Sequence, residues 1–162
     1  MSDTVTRSRP RTVARPIIRE HRIPTEGSKP YISVEGADGC LWFCESGTSK
    51  IGRLNPKDYS FQEFALPTPN ATPIGIVPGA NDDCWFAEKS GNKIGRITLK
   101  GEITEFPVPT PNAGPDAMML GPDGNIWFSE TEVSQIDRLT PWSAADAVFG
   151  CSAPVAQGAE SI

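Results

Sequence analysis

The chain repeats itself every 42 to 43 residues, and this repeat constrains the fold more than any other feature. Trp42, Trp85 and Trp127 are separated by 43 and 42 residues. The same spacing recurs in Phe43, Phe86 and Phe128, in Glu45, Glu88 and Glu130, in Pro30, Pro73 and Pro115, and in the Ile-x-Arg triplets 51–53, 94–96 and 136–138. Self-similarity at one period indicates a repeat architecture, in which each unit packs on like neighbours.

Each period is predicted to form four short strands. In the first copy they cover residues 31–36, 41–45, 51–53 and 61–66, where apolar residues alternate at period two or form short aromatic runs. The Pro-Thr-Pro stretch that follows cannot join a strand ladder and therefore ends the fourth strand.

The turn between the first and second strands contains residues that tolerate positive φ. It reads Asp38-Gly39 in the first copy, Asn81-Asp82 in the second and Asp123-Gly124 in the third. Tight turns of this kind are expected in a chain with 15 glycines and 16 prolines.

Four strands per 42 to 43 residues is the length of a β-propeller blade. The sequence therefore predicts an all-β fold, a partial β-propeller with about three four-stranded antiparallel blades. The blades are predicted at 31–66, 74–108 and 116–139 within a propeller region of 16–140, and the repeated tryptophans are expected to pack between them.

Half a repeat precedes the first blade. Glu20, Pro24 and Thr25 lie 43 residues before Glu63, Pro67 and Thr68, so residues 17–23 are predicted to form a lone fourth strand. His21 falls at the position of Phe64 and is expected to be a packing residue on that strand, with a catalytic or metal role as the alternative.

The two ends of the chain do not follow the repeat. Residues 1–15 are interpreted as a disordered, Arg-rich leader, with a targeting address as the alternative. The pattern stops at Pro141, and 141–162 is a tail without the repeat.

Three blades are too few to close a ring. Either several copies therefore assemble, or the chain is a fragment of a longer protein. The abrupt loss of pattern favours the fragment, and we expect self-association if the chain is expressed alone.

The charge distribution excludes some partners. The net charge is −5, but residues 1–22 carry +4 and residues 23–162 carry −9. Nucleic-acid binding would require basic residues on the folded part, which here is acidic. The chain has no run of 18 apolar residues, so no membrane span is predicted.

The four cysteines are predicted to be small buried or half-buried thiols in a reducing cytosol, which gives a cytoplasmic location. They are Cys40, Cys44, Cys84 and Cys151, and no C-x-x-C pair occurs. A zinc site is therefore not expected.

The blade sequence resembles the streptogramin B lyases, also called virginiamycin B lyases, over residues 17–140. The resemblance lies in Trp-Phe-x-Glu, in Asn-Lys-Ile-Gly-Arg-Ile at 92–97, and in Glu-Phe-x-x-Pro-Thr-Pro-Asn. It implies a seven-bladed ring that opens cyclic depsipeptide antibiotics at the ester bond by Mg²⁺-assisted elimination, and so confers antibiotic resistance. The implied partner is the antibiotic, and the implied cofactor is Mg²⁺.

The resemblance also implies where a catalytic base would lie. In the family the base is a His directly after a Pro at the start of an inner strand in a late blade, with a second such His and a Glu near the metal. The matching positions here are Tyr31, Ile74 and Asp116, none of which is His. No catalytic or metal-binding residue is therefore assigned, and only Tyr31 is carried over, as a substrate contact.

Two functions follow from these observations. The first is that of a streptogramin B lyase when full length, with this chain an inactive N-terminal portion. The second is a non-enzymatic β-propeller binding module assembled from several copies.

Each blade also repeats a Glu and an Arg eight residues apart. Glu45, Glu88 and Glu130 could be considered as metal ligands. Their recurrence with Arg53, Arg96 and Arg138 instead favours a structural ion pair across one hairpin.

Overall fold

Eleven β-strands in three antiparallel sheets form the regular structure of residues 16–141, which this computed structural model describes. Those residues hold no helix with the length and apolar character that a membrane crossing requires. The strands are β1 (Pro30–Glu35), β2 (Leu41–Glu45), β3 (Lys50–Leu54), β4 (Phe61–Ala65), β5 (Pro73–Pro78), β6 (Asp83–Glu88), β7 (Lys93–Thr98), β8 (Ile103–Pro107), β9 (Pro115–Leu120), β10 (Ile126–Glu130) and β11 (Gln135–Leu139).

Each sheet is a meander of consecutive strands. The first sheet has the order β1-β2-β3-β4, the second β5-β6-β7-β8, and the third β9-β10-β11. This confirms the all-β prediction of propeller blades, with two four-stranded sheets and one three-stranded sheet in the described chain. The first strands β1, β5 and β9 lie side by side in neighbouring sheets, so the sheets fan outward from them.

The predicted turn chemistry is present at the tip of each first hairpin. Gly39, Asp82 and Gly124 occupy equivalent positions and have φ values of 70°, 56° and 77°. Most side chains avoid this left-handed region, whereas Gly and Asp enter it readily, which explains the residue types at these positions.

The two faces of a blade carry different residues because side chains alternate along a strand. We call the face with the tryptophan the Trp face; in the first sheet it holds Val34, Trp42, Cys44, Ile51 and Phe64. We call the opposite face the Phe face; in the first sheet it holds Ser33, Leu41, Phe43, Glu45, Gly52, Leu54, Phe61 and Glu63.

The core consists of two junctions of the same kind. At each junction the Trp face of one sheet packs on the Phe face of the next. Trp42 of the first sheet shares a cluster with Phe86 of the second, and Trp85 shares a cluster with Phe128 of the third. The prediction that the repeated tryptophans pack between blades is confirmed for Trp42 and Trp85, whereas Trp127 lies on the outer face of the third sheet within the described residues.

Residues 17–23, predicted as a lone strand, form no strand in the structure. No strand in the described part of the chain pairs with them, so their backbone groups have no neighbouring strand with which to form the hydrogen bonds of a sheet. The linker that follows does reproduce the repeat. Lys50 Nζ donates to Thr25 Oγ1 at 2.7 Å, just as Lys93 Nζ donates to Thr68 Oγ1 at 2.6 Å. The predictions for 1–15 and for the tail after Pro141 lie outside the described residues.

The cysteines of the described chain are free thiols and all are buried, as predicted. They are Cys40, Cys44 and Cys84, and Cys151 lies outside the described residues.

Candidate functional site at the ends of the inner strands

The candidate site lies where the inner strands begin. Tyr31, Ile74 and Asp116 each follow a proline at the start of β1, β5 and β9. The turn after the second strand of each sheet lies at the same end, because Pro30 pairs with Glu45, Pro73 with Glu88 and Pro115 with Glu130. We call this end of the three sheets the mouth.

Tyr31 is the most exposed of the three residues, with 64% of its surface accessible. It borders an open groove of about 190 Å³ on the Phe face of the first sheet, whose lining includes His21, Phe43 and Phe61. A tyrosine in such a place offers a phenol and an apolar ring to a ligand.

Asp116 takes part in a charge network at the mouth. Lys89 Nζ lies 3.0 Å from Asp116 Oδ2 and 3.7 Å from Glu132 Oε1, and all three side chains are partly exposed. The hydrogen bond to Asp116 raises the pKa of Lys89 above its ordinary value. This lysine therefore stays protonated and does not serve as a general base. Ile74, the third residue of the set, is apolar and half-buried.

His21, the one histidine in the sequence, is exposed and lines the same groove as Tyr31, but it does not begin an inner strand. Its ring stacks on Tyr59 with centroids 4.1 Å apart. It therefore acts as a packing residue, as expected, but outside any strand.

The predicted ion pair between the repeated Glu and Arg is wrong. Arg53 Nε instead contacts Asp38 Oδ2 at 2.7 Å, and Arg96 pairs with Asp83. Glu45 lies opposite Lys50 and Arg53 lies opposite Trp42. Because Trp42 and Glu45 are three residues apart on one strand, Glu45 and Arg53 point to opposite faces of the sheet.

The repeated glutamates are instead fully buried on the Phe face, each next to a second carboxyl group. Glu45, Glu88 and Glu130 have no solvent-accessible surface. Their side chains interact with those of Glu63, Glu105 and Asp137 respectively. Buried oxygens in each of the three pairs make no hydrogen bond: Glu45 Oε1, Glu63 Oε1, both oxygens of Glu88 and both oxygens of Glu130. Glu63 Oε1 does lie 3.6 Å from Lys50 Nζ, as an ion pair.

Burial is the main reason why these glutamates bind protons strongly. It raises the pKa of Glu88 to about 8, and the charge of Glu105 adds to the rise while Lys93 opposes it. Burial likewise raises the pKa of Glu45 to about 7. The hydrogen bond from Thr48 lowers this pKa, whereas the neighbouring Glu63 raises it further. A protonated carboxyl can donate to its carboxylate neighbour, which supplies the missing hydrogen bond.

The partner carboxyl group changes its place in the third sheet. Glu63 and Glu105 come from fourth strands, opposite Gly52 and Gly95. Asp137 takes the place of those glycines on β11, where it is buried. Burial is the main cause of the raised pKa of Glu130, and Asp137 raises that pKa further. The sequence alone shows the change from Gly to Asp at this position. Only the strand register shows that the change places a second carboxyl group next to Glu130.

A family model described as the Virginiamycin B lyase family matches residues 5–155. Selenomethionine-substituted virginiamycin B lyase from Staphylococcus aureus has a TM-score of 0.73 at 46% identity, covering 76% of this chain and 42% of that one. The chain belongs to the virginiamycin B lyase family.

Two further solved structures in the virginiamycin B lyase family support the same relationship. A catalytically inactive His-to-Ala variant of the S. aureus enzyme with quinupristin has a TM-score of 0.73 at 47% identity, covering 75% of this chain and 41% of that one. A streptogramin B lyase has a TM-score of 0.74 at 44% identity, covering 76% and 41%. The chain thus spans about two fifths of each solved relative. No curated protein gave a match.

The resemblance to virginiamycin B lyases implied Mg²⁺, and the described residues do not fit this ion. Residues 16–141 contain no group of three or more His, Cys, Asp or Glu side chains arranged to hold a metal ion. Mg²⁺ requires an open octahedral shell of oxygens and water. The buried glutamates are instead enclosed in pairs, where burial raises the pKa of each.

Proposed function

We propose that this chain supplies three blades of a streptogramin B (virginiamycin B) lyase. The complete protein would linearise cyclic depsipeptide antibiotics by Mg²⁺-assisted elimination at the ester bond. The observation that supports this proposal is 44–47% identity to solved lyases over three quarters of the chain.

The chain alone is proposed to be inactive. Elimination needs a base that removes a proton next to a carbonyl group. The three residues that begin the inner strands, Tyr31, Ile74 and Asp116, do not include the His that the family uses. Asp116 is paired with Lys89, and Lys89 is held protonated by that contact. Mg²⁺ and the catalytic histidines would come from blades beyond the described residues, which agrees with the loss of activity in a His-to-Ala variant of the S. aureus enzyme.

Tyr31 is proposed to contact the antibiotic. Its exposure at the mouth leaves its phenol and its ring free to contact a bound cyclic peptide. Its role would be in binding, because its position leaves the chemistry to residues of other blades.

The test is to complete the ring. Residues 16–140 would be fused to the blades of the S. aureus enzyme that this chain does not match. The fusion and the 162-residue chain would each be incubated with a streptogramin B and Mg²⁺, and the linear product would be measured by mass spectrometry. We expect product from the fusion and none from the chain alone.

The controls separate the parts of the proposal. Tyr31→Ala in the fusion should raise KM several-fold with a smaller change in kcat, whereas Tyr59→Ala, which removes an exposed tyrosine away from the mouth, should change neither. A folded fusion without turnover would reject the lyase assignment. Turnover by the chain alone would reject its inactivity.

A second candidate is a non-enzymatic binding module assembled from several copies of the chain. One observation favours it: the third sheet leaves its Trp face open to solvent within the described chain, with Met119 and Ile136 mostly exposed.

A further inference from the structure

The residue before each inner strand has a left-handed backbone conformation. Lys29, Thr72 and Gly114 directly precede the prolines that begin β1, β5 and β9, and their φ values are 47°, 54° and 62°. Glycine enters this region freely, whereas a lysine and above all a β-branched threonine do so at an energetic cost. Such residues keep this conformation only where the surrounding structure fixes it, and they concentrate at binding and catalytic sites. Here they lie two positions before the three residues of the candidate site.

Hydrogen bonds from the end of the second strand hold this conformation in every sheet. The carbonyl oxygen of the left-handed residue accepts a bond from the backbone N–H of the first residue after that strand. The three bonds run from Ser46 to Lys29 at 3.3 Å, from Lys89 to Thr72 at 3.2 Å and from Thr131 to Gly114 at 3.2 Å. The backbone leading into each inner strand is therefore bound to the turn at the mouth.

A hydroxyl group adds a second hydrogen bond in the first and third sheets. Ser46 Oγ donates to the carbonyl oxygen of Lys29 at 2.9 Å, and Thr131 Oγ1 donates to that of Gly114 at 2.9 Å. In the second sheet the equivalent residue is Lys89, whose side chain pairs with the third sheet instead. The second sheet forms without this hydroxyl bond, so the bond is not a requirement of the blade as such.

Tyr31 depends on the residues just before it for its position. It is not paired with a residue of β2, because the register of β1 shifts between Pro30 and Ser33. The ring of Pro30 fixes its own φ, and Lys29 is bound to Ser46 on the other side of that proline. The direction in which the chain reaches Tyr31 is therefore set by Lys29 and its hydrogen bonds.

We propose that Ser46 positions Tyr31 for ligand binding by holding Lys29 in its left-handed conformation. Ser46 is a positioning residue, because it acts through Lys29 and Pro30 and leaves the contact with the ligand to Tyr31. The inference rests on the proposed contact between Tyr31 and a cyclic depsipeptide. The ordering of Tyr31 by Ser46, however, can be measured on the chain itself without any ligand.

The first experiment follows the tyrosines of the 162-residue chain by fluorine NMR after labelling with fluorotyrosine. The sequence holds two tyrosines, Tyr31 and Tyr59, so two resonances are expected, and Tyr31→Phe assigns them. We expect Ser46→Ala to shift or broaden the resonance of Tyr31 and to leave that of Tyr59 in place. Ser46→Thr should restore the Tyr31 resonance, because Thr131 makes the same bond in the third sheet.

The second experiment measures turnover of a streptogramin B by the fusion. Ser46→Ala should raise KM by about 2- to 10-fold with little change in kcat, as expected for the loss of one hydrogen bond that acts on binding. Ser46→Thr should restore KM. Because both residues act on the same contact, Ser46→Ala should add nothing further in a Tyr31→Ala background. A merely structural role would give the same loss in both backgrounds.

Ser60→Ala is the matched control. Ser60 Oγ also donates an exposed hydrogen bond in the first sheet, to Asp58 at 2.7 Å, but it precedes β4 at the end away from the mouth. Its variant should leave the Tyr31 resonance and KM unchanged. Circular dichroism establishes that each variant is folded, and Ser46→Cys, which keeps the size and weakens the hydrogen bond, replaces Ser46→Ala if that variant does not fold.

Two results would overturn the role of Ser46. One is a Tyr31 resonance that Ser46→Ala leaves unchanged, and the other is an equal rise of KM with and without the Tyr31 side chain. A folded fusion without turnover would reject the lyase assignment, whereas the fluorine resonances would still decide whether Ser46 orders Tyr31. The two proposals therefore fail separately.

Discussion

Glu88 and Glu105 bring two carboxyl groups together inside the second sheet, and both oxygens of Glu88 are buried without a donor. Burial tends to raise the pKa of Glu105 as well, but hydrogen bonds from Lys93 and Thr68 outweigh it and lower the pKa overall. Glu105 is therefore the carboxylate of the pair and Glu88 is the acid that retains the proton. The pair is stable as long as that proton is present.

The first prediction concerns stability against pH. The pKa of Glu88 in the folded chain is about 8, above the ordinary value of 4.5, so between these values the folded state binds more protons than the unfolded state. The free energy of unfolding therefore falls as pH rises from about 4.5 to 8, by up to about 1.4 kcal/mol per pH unit for one such group. Glu45 and Glu130, whose pKa values are also raised, act in the same direction. Urea titrations at a series of pH values measure this slope.

Glu88→Gln separates the contribution of one pair. The amide of Gln can donate to Glu105 at any pH, so the variant should lose part of the slope and exceed the wild type in stability above pH 8. Glu102→Gln alters an exposed glutamate near the same strands and should leave the slope unchanged. An unaltered slope in Glu88→Gln would show that Glu88 is already ionised at neutral pH.

The second prediction concerns the glycine opposite Phe86. A Cβ atom at Gly95 would lie 2.1 Å from the ring of Phe86, which is fully buried at the junction of the first and second sheets. Gly95→Ala must therefore displace that ring, and we expect a loss of about 1–3 kcal/mol in the free energy of unfolding. In a Phe86→Leu background the same substitution should cost less, because the smaller side chain leaves room. Equal costs in the two backgrounds would contradict this contact.

The sequence could predict the blades because their strands depend on local patterns. The spacing of the tryptophans, the alternation along 61–66 and the turn residues at Gly39 and Gly124 are each sufficient to place strands and turns. Residues 17–23 carry the same pattern but form no strand, because a strand also requires a partner and the described chain provides none. The local sequence specifies the tendency to form a strand, whereas strand pairing depends on the presence of a neighbouring strand.

The candidate site was less predictable because it depends on which face a residue occupies. Glu45 and Arg53 are close in sequence and oppositely charged, yet the register places them on opposite faces. The true partners, Asp38 for Arg53 and Glu63 for Glu45, come from a turn and from the fourth strand. Two carboxyl groups side by side are an unfavourable pairing unless burial retains a proton, and burial cannot be read from charge and spacing alone.

The third prediction concerns thiol reactivity. Cys40, Cys44 and Cys84 are buried, and burial raises the pKa of each thiol, to about 12 for Cys84. Because the thiolate is the reactive form, a Cys151→Ser variant should show almost no labelling by Ellman's reagent while folded. Three thiols per chain should react in denaturant. Rapid labelling of the folded variant would show that the junction between the first two sheets opens readily.

The last prediction concerns the threonines that link one sheet to the next. The backbone N–H of Thr68 donates to Glu105 Oε1 at 2.9 Å and its hydroxyl donates to Oε2 at 2.7 Å, so the segment leaving the first sheet is bound to a carboxylate of the second. Thr68→Val keeps the shape and removes the hydroxyl bond to a charged acceptor, which should cost about 1.5–3 kcal/mol in the free energy of unfolding. Thr104→Val, an exposed change on β8, is the control and should cost much less.

Thr25→Val extends this comparison to the segment before the first sheet. Thr25 accepts a hydrogen bond from Lys50 and interacts with Glu63, as Thr68 does with Lys93 and Glu105. If the segment before β1 is bound as tightly as the linker between blades, both substitutions should destabilise the chain by similar amounts in urea titrations. A loss confined to Thr68→Val would mean that the contacts of Thr25 with the first sheet add little to the stability of the chain.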